Sequence, residues 1–210
     1  MPSRPDAPIK LYRFKLSGHS HRAQLMLALL NLEHELIDVD FSAKKQKTPA
    51  FLNLNVFGQV PVIDDSGIVV ADSNAILVYL ASRYDDGAWL SRGAFGAAQV
   101  QRWLSVAAGP LAFGAAAARV HKVFGVPLDY DAAATRCHAL FDIMNQVLNA
   151  TPFLCGAMPS IADVALYTYT AHAPEGGISL EQYSSLLSWV GRIQALPRFV
   201  PMDSASVKAS

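Results

Sequence analysis

Apolar and polar residues alternate over residues 9–14, and this period of two predicts a half-buried strand. Over residues 21–32 the apolar residues recur every three or four positions, which predicts a helix. Residues 35–39 predict a second strand. Two short β-branched runs, 60–63 and 68–70, enclose an acidic turn with a glycine, and this arrangement predicts a β-hairpin.

Two helix starts complete this part of the chain. Thr48 and Pro49 can open a short helix, because proline fits the first helical turn. Asp72 and Ser73 stand directly before apolar residues at helical spacing, and they can cap a helix that reaches Tyr84. The predicted order is β-α-β, a short helix, and then β-β-α, which matches the thioredoxin topology of an α/β module.

Past residue 92 only helical spacing remains, with a capping-box pattern at Ser160 to Asp163. The predicted helices cover 99–111, 131–148, 161–171 and 183–196. We therefore predict an α/β thioredoxin-like N-terminal domain followed by an all-α C-terminal domain. The predicted segments are a disordered tail (1–8), the thioredoxin-like domain (9–84), a linker (85–92), the helical domain (93–201) and a second tail (202–210).

Composition mainly excludes classes of function. Hydrophobic residues make up 52% and charged residues 16% of the 210 positions, so the chain can bury a sizeable core. A formal net charge of zero gives no support to nucleic-acid binding. Cys137 and Cys155 form no CxxC motif, which argues against a dithiol redox motif or a zinc ribbon. We expect a cytoplasmic protein with no signal peptide and no membrane-length apolar run.

Two short motifs carry candidate chemistry. A cis bond between Val60 and Pro61 would leave the backbone of Val60 open to pair with an extended peptide, although Pro61 could simply begin a strand. Asp72 and Ser73 would offer a carboxylate, a hydroxyl and backbone N–H groups at a helix N-terminus. That set fits the head of an α-amino acid, although either residue could serve only as a helix cap.

The two motifs at this spacing resemble the glutathione-binding half of bacterial glutathione transferases. Residues 51–84 are similar to that half, residues 10–41 to its opening strand and helix, and residues 160–199 to the family's C-terminal helices. The resemblance implies glutathione as co-substrate, a small hydrophobic electrophile as second substrate, a homodimer and no metal. The pair His19 and His21 could suggest a metal, but two histidines in a turn are usually solvated.

The resemblance also implies roles for individual residues. The backbone of Val60 would pair with the cysteinyl part of glutathione, next to the cis proline Pro61. Asp72 and Ser73 would hold the γ-glutamyl head, and Gln59 would support the same group.

Three further sets of residues complete this assignment. Lys47 would attract the glycine carboxylate, or it is a solvated charge in a lysine-rich loop. Asn55-Val56 departs from the Asn-Pro that the family often has, which should alter loop stiffness rather than binding. The second substrate is expected between the catalytic turn and the first helices of the second domain. Its candidate contacts, which could equally be core residues, are Arg102, Trp103, Phe113 and Arg119.

The catalytic group is expected in the turn after the first strand. A thiol with a pKa of about 8.5 is only a few per cent ionised at pH 7, so the site must favour the thiolate of glutathione. A hydroxyl donor and the positive end of a helix can both do this. By its spacing from Arg22, Ser17 matches the serine of zeta-type and the cysteine of beta-type members. Ser20 and His19 compete for this role, and Tyr12 is an alternative that more often packs; His19 is also a candidate glutathione contact.

The resemblance therefore implies glutathione conjugation to an electrophile. Two alternatives stay open: glutathione-dependent reduction of a disulfide or peroxide, and a non-catalytic member of the family that only binds ligands. Fold alone does not separate them, because one fold hosts many functions.

Overall fold

A computed structural model describes residues 4–205. These residues form two compact units, the first made of residues 4–90 with Pro197–Asp203 and the second of Ser91–Leu196 with residues 204–205. The segment Pro197–Asp203 thus groups with the first unit and not with the helices that precede it. Of the two predicted tails, residues 1–3 and 206–210 lie outside the described residues.

The first unit is a four-stranded mixed sheet with three α-helices. The strand order is β2-β1-β3-β4, with β1 and β2 parallel and β3 antiparallel to both of its neighbours. The strands are β1 (Ile9–Arg13), β2 (His34–Asp38), β3 (Val62–Asp65) and β4 (Ile68–Ala71). The helices are α1 (Gly18–Leu29), α2 (Pro49–Leu54) and α3 (Ser73–Tyr84), with a 3-10 turn at Lys45–Lys47.

The alternation along β1 gives the sheet two packed faces. Leu11 is fully buried and pairs with Ile63 of β3, whereas the next residue, Tyr12, pairs with Val62 and faces the other way. On that second face Tyr12 and Val62 pack with Phe51 of α2. The buried side chains of α1 and α3 supply the remaining core of this unit.

The topology also brings three chain segments to one end of the sheet. Val62, the first residue of β3, pairs with Tyr12 near the end of β1 and with Ala71 at the end of β4. The turn that leaves β1, the loop that enters β3 and the start of α3 therefore meet at this end.

The second unit is helical. Its elements are α4 (Ala94–Val106), a π-helical segment (Ala107–Ala116), α5 (Ala117–Phe124), α6 (Tyr130–Ala150), α7 (Ile161–Ala171), a 3-10 turn (Ala173–Gly176) and α8 (Ser184–Gln194). Every residue of α7 except the last is buried. The predicted capping box at Ser160 and Asp163 is confirmed, and the Asp163 carboxylate also accepts from the indole N–H of Trp189 at 2.9 Å.

The structure confirms the predicted fold class, and two helix boundaries differ for clear reasons. The first helix begins at Gly18 and not at residue 21, because Ser17 caps it. The predicted helix 99–111 instead belongs to a continuous helical run, 94–124, since the π-helical segment accommodates Pro110.

That run corrects the expectation that no apolar stretch reaches membrane length. By length and composition alone the helix Ala94–Phe124 could cross a membrane, and half of its most apolar stretch is buried in the chain's own fold. A core helix of a soluble protein passes the same test, so the finding is weak evidence for a membrane.

Candidate active site at one end of the sheet

Ser17 lies at the N-terminus of α1, where it is the helix cap. Its Oγ accepts a hydrogen bond from the backbone N–H of Ser20 at 3.3 Å, and its own N–H donates to Phe14 O at 2.9 Å. The side chain is half-buried. A hydroxyl that accepts still has its own proton to donate. Ser17 can therefore donate to an anion at the positive end of α1.

The other two hydroxyl groups considered for this role, those of Ser20 and Tyr12, lie in environments that favour structural roles. Ser20 is only 1% exposed, and its Oγ accepts from the N–H of Phe14 at 3.2 Å. The ring of Tyr12 packs edge-on against Phe51 with 6.3 Å between the ring centroids. These contacts favour a role for Ser20 in shaping the turn and for Tyr12 in packing.

Asp72 caps α3 with its carboxylate. One oxygen accepts from the N–H groups of Asn74 at 2.9 Å and Ala75 at 3.0 Å. The backbone of Asp72 has φ +77°, a conformation that is strained for a side chain other than glycine. The residue is exposed, and its second carboxylate oxygen has no hydrogen bond to any described residue. Asp72 is thus a helix cap that keeps one acceptor for a ligand.

A buried arginine ties the starts of α1 and α3 together. Arg22, 1% exposed, donates from Nη1 to Ser73 Oγ at 2.8 Å and to Asn74 Oδ1 at 2.9 Å. The same nitrogen lies 3.4 Å from His19 Nδ1, which is also 3.2 Å from Ser73 Oγ. The hydroxyl of Ser73 is therefore engaged inside the unit, as acceptor from Arg22 and as donor toward His19.

His19 is a neutral member of this network. Burial, with the charge of Arg22 as the second cause, lowers the pKa of His19 to about 3. Since the guanidinium of Arg22 can only donate, a proton on Nδ1 would face another donor, so the favoured tautomer has the Nδ1 lone pair on this side, where it accepts from Ser73, and the ring proton on Nε2. His19 is thus a neutral hydrogen-bond donor at physiological pH.

The loop entering β3 offers unpaired backbone. The Val60–Pro61 bond is cis, as predicted. Within residues 4–205 neither the N–H nor the C=O of Val60 hydrogen-bonds to the protein. The side chain of Asn55 fixes this loop by donating to Gln59 O at 2.9 Å and accepting from the N–H of Phe57 at 3.1 Å. Gln59 itself is exposed.

Lys47 leans on the same loop. Its Nζ donates to Phe57 O at 3.1 Å. It also covers Gly58, where an added Cβ would come within 2.8 Å of Nζ, and Gly58 has φ +59°. Lys47 is exposed, so both its predicted roles, ligand contact and solvated charge, stay open.

The structure separates the four residues predicted for the second substrate. Arg102 and Trp103 line a cavity of about 400 Å³ within the helical unit, and neither Phe113 nor Arg119 lines it. Phe113 is 63% exposed. Arg119 is 1% exposed and donates to the Glu175 carboxylate at 2.7 Å, contacts that favour a structural role. The remaining side chains around the cavity are Val106, Pro110, Arg136, Ala139, Leu140, Ile143 and Val147.

From the sequence, Arg22 served only to identify Ser17 by its spacing, and its hydrogen bonds to Ser73 and Asn74 were not predicted. The available signal was its position in α1, where a charged residue stands among helix residues that are otherwise mostly apolar. Asn74 was missed as well. In residues 4–205 no group of three or more His, Cys, Asp or Glu side chains could hold a metal ion.

Comparisons with known proteins decide the family. A family model described as "Glutathione S-transferase, N-terminal domain" matches residues 7–82. The crystal structure of a glutathione S-transferase from Pseudomonas fluorescens Pf-5 is 35% identical, with a TM-score of 0.88 over 93% of this chain and 99% of that chain. This chain belongs to the glutathione S-transferase family.

Curated members of the family match over a shorter stretch. Glutathione S-transferase 3 of Zea mays is 39% identical over 101 residues, which are 48% of this chain and 46% of that protein. The zeta-class glutathione S-transferase of Euphorbia esula is 39% identical over 83 residues, or 39% and 37% of the two chains. The matched stretch thus spans less than half the length of these curated relatives. The family and the fold class predicted from the sequence are both confirmed.

Proposed function

We propose that this chain is a glutathione transferase that activates the thiol of bound glutathione for attack on a small hydrophobic electrophile. The observation that carries the proposal is the meeting of three features at one end of the sheet. These are the unpaired backbone of Val60, the capped start of α3 at Asp72 and the Ser17 hydroxyl at the start of α1.

In this proposal the start of α3 holds the γ-glutamyl head. The second carboxylate oxygen of Asp72 accepts from the ammonium, and the N–H of Ser73 at the helix N-terminus donates to the carboxylate. The Ser73 hydroxyl contributes indirectly, since it is already shared between Arg22 and His19. Gln59, exposed beside this position, and the Nε2–H of His19 supply further polar contacts.

The remainder of glutathione runs along the loop that enters β3. The N–H and C=O of Val60 pair with the cysteinyl unit in the manner of a strand added to a sheet. The ammonium of Lys47, exposed on the same loop, attracts the glycine carboxylate. No metal is needed for this assignment, and glutathione is a co-substrate.

The cysteinyl sulfur is then activated by Ser17. A hydroxyl donor and the positive end of α1 both stabilise the thiolate and leave the thiol unaffected, so they lower its pKa. A shift of two pKa units corresponds to about 2.7 kcal/mol and raises the thiolate from a few per cent to the major form near pH 7. The first turn of α1 holds no acidic residue that would oppose this effect.

We also propose that the protein works in the cytoplasm as a homodimer, as the family resemblance implies. Exposed apolar side chains such as Val56 and Phe57, 78% and 73% exposed, are consistent with a covered surface.

The test has two steps. Titration calorimetry should first show saturable binding of glutathione. A panel of an aryl halide, an epoxide, a disulfide and a peroxide should then yield conjugates of the first two. Reduction of the disulfide with negligible conjugation would support the reductase alternative, and binding without any turnover would support a ligand-binding role. Absence of glutathione binding would overturn the proposal.

A further inference from the structure

We propose that His21 is a positioning residue that connects the C-terminal segment Pro197–Asp203 to the turn carrying Ser17. The inference rests on the proposed role of Ser17 as thiol activator. His21 touches no substrate in this proposal; it acts through the first turn of α1.

The connection includes a buried hydrogen bond. Nε2 of His21 lies 2.8 Å from the carbonyl oxygen of Val200, 179 positions later in the chain. A carbonyl oxygen can only accept, so Nε2 carries the proton and donates it. His21 is 3% exposed, so the hydrogen bond is sheltered from bulk solvent.

His21 is also joined to Ser17 through the backbone. Its N–H donates to Ser17 O at 2.9 Å, which is the first hydrogen bond of α1. The preceding residue, Ser20, donates its N–H to Ser17 Oγ and accepts from Phe14 N–H. A movement of His21 therefore shifts its own hydrogen bond to the Ser17 backbone and, through Ser20, the hydrogen bond to the Ser17 side chain.

Packing alone does not hold this junction. A cavity of about 170 Å³ lies where the C-terminal segment meets the turn, lined on one side by Ser20, His21 and Gln24 and on the other by Pro201, Met202 and Asp203. Met202 is buried, so the segment is anchored, but the cavity leaves space beside His21. The hydrogen bond to Val200 is thus a direct link beside this cavity.

Two of the three charged side chains around the cavity are already paired elsewhere. Arg13 and Lys15, which face it from β1 and the following turn, both pair with Asp38, at 2.9 Å and 3.3 Å. Asp203 faces it from the C-terminal segment. The link between His21 and Val200 is a polar contact that joins the segment directly to α1.

The proposal is tested by His21→Leu, which fills similar space without a donor, and by His21→Gln, whose amide can donate from about the same place. In His21→Leu we expect the apparent thiol pKa of bound glutathione to rise by about half a unit to one unit. We expect kcat/KM near pH 7 to fall about three- to tenfold, and most of the loss to return in His21→Gln and at high pH.

Truncation of the chain provides an independent test of the same link. A chain ending at Phe199 lacks Val200 and should reproduce the pH shift of His21→Leu. A chain ending at Asp203 retains the link and should match the full chain. Thermal unfolding identifies variants that are merely less stable, because lost stability alone does not move the thiol pKa of the folded fraction.

The outcomes separate the inference from the proposed function. An unchanged pH–rate profile in folded His21→Leu and in the chain ending at Phe199 would overturn the positioning role. If the wild-type chain itself conjugates no electrophile, the proposed function fails first. If Ser17→Ala leaves the profile unchanged while His21→Leu moves it, the link acts through some group other than Ser17 and the inference as stated is wrong.

Discussion

The two helix starts at the end of the sheet are built in opposite ways. Helices α1 and α3 each have 12 residues and a side-chain cap, and Arg22 ties the two starts together. The cap of α1 is the neutral Ser17, with a relaxed extended backbone and one hydrogen bond of 3.3 Å. The cap of α3 is the charged Asp72, with φ +77° and two hydrogen bonds of 2.9 and 3.0 Å.

This difference suits two different ligand groups. The carboxylate of Asp72 already offsets the positive end of α3, so this end fits a zwitterion with both an ammonium and a carboxylate. The first turn of α1 contains no acidic residue, so its positive end stays available to a lone anion such as a thiolate. The strain at Asp72 is also what is expected where a binding residue is held in position.

The largest expected effect is a loss of stability when the hydrogen bonds of Arg22, which connect the starts of α1 and α3, are removed. Replacement of Arg22 by Leu leaves Ser73 Oγ and Asn74 Oδ1 without their buried donor. We expect the free energy of unfolding to fall by about 3 kcal/mol, measured by urea denaturation, with weaker glutathione binding as well.

Two control variants sharpen this prediction. Arg22→Lys should recover only part of the stability, because an ammonium lacks the planar fork of the guanidinium. Lys10→Met removes an exposed charge from β1 and should change stability by no more than about 0.5 kcal/mol. A stable Arg22→Leu chain with normal glutathione affinity would show that the two starts are independent.

Removal of the Ser17 hydroxyl should weaken thiol activation at the start of α1 and leave the start of α3 unchanged. Ser17→Ala is expected to raise the thiol pKa of bound glutathione and to lower the rate near pH 7 about tenfold to a hundredfold. The rates should converge at high pH, where both chains hold thiolate. Ser17→Thr retains a hydroxyl and should keep most of the activity.

Ser20→Ala serves as the matched control on the same turn. Because Ser20 Oγ is buried and bonded to Phe14 N–H, we expect a loss of stability of about 1 kcal/mol and a smaller rise of the thiol pKa than in Ser17→Ala. A pH profile that moves with Ser20→Ala and not with Ser17→Ala would reverse the assignment.

Asp72 allows capping and ligand binding to be separated. Asp72→Asn keeps a good cap and tolerates the positive φ, but it loses the charge. We expect the KM for glutathione to rise about tenfold with little change in stability. Asp72→Ala loses the cap as well, so its free energy of unfolding should fall by about 1 kcal/mol or more. Normal binding by Asp72→Asn would make Asp72 a cap only.

Features set by neighbouring residues were predictable from the sequence. The α/β order, the cap at Asp72 and the capping box at Ser160 and Asp163 follow from local patterns, and the cis bond before Pro61 was implied by the family resemblance. The cap at Ser17 was not predicted, because the apolar spacing begins at residue 21 and a second serine, Ser20, stands directly before it.

Contacts between distant positions were not predictable. Arg22 meets Ser73 across 51 positions, and His21 meets Val200 across 179 positions. No local sequence pattern predicts which distant acceptor a buried donor will contact in the folded protein. The predicted helix 99–111 also stops short of the observed run 94–124, in which a π-helical segment carries the chain past Pro110.

At neutral pH the smallest effect concerns His19, which lies between the two starts. Its pKa is about 3 in the folded chain against 6.5 for the ordinary group, so below pH 6.5 the unfolded chain takes up a proton that the folded chain refuses. Stability should therefore fall as the pH drops from 6.5 toward 3, with a slope of at most about 1.4 kcal/mol per pH unit from this residue. His19→Gln, which stays neutral, should flatten the slope in urea denaturation at several pH values. An imidazole NMR signal of His19 that titrates near pH 6.5 would contradict the neutral donor that we place between α1 and α3.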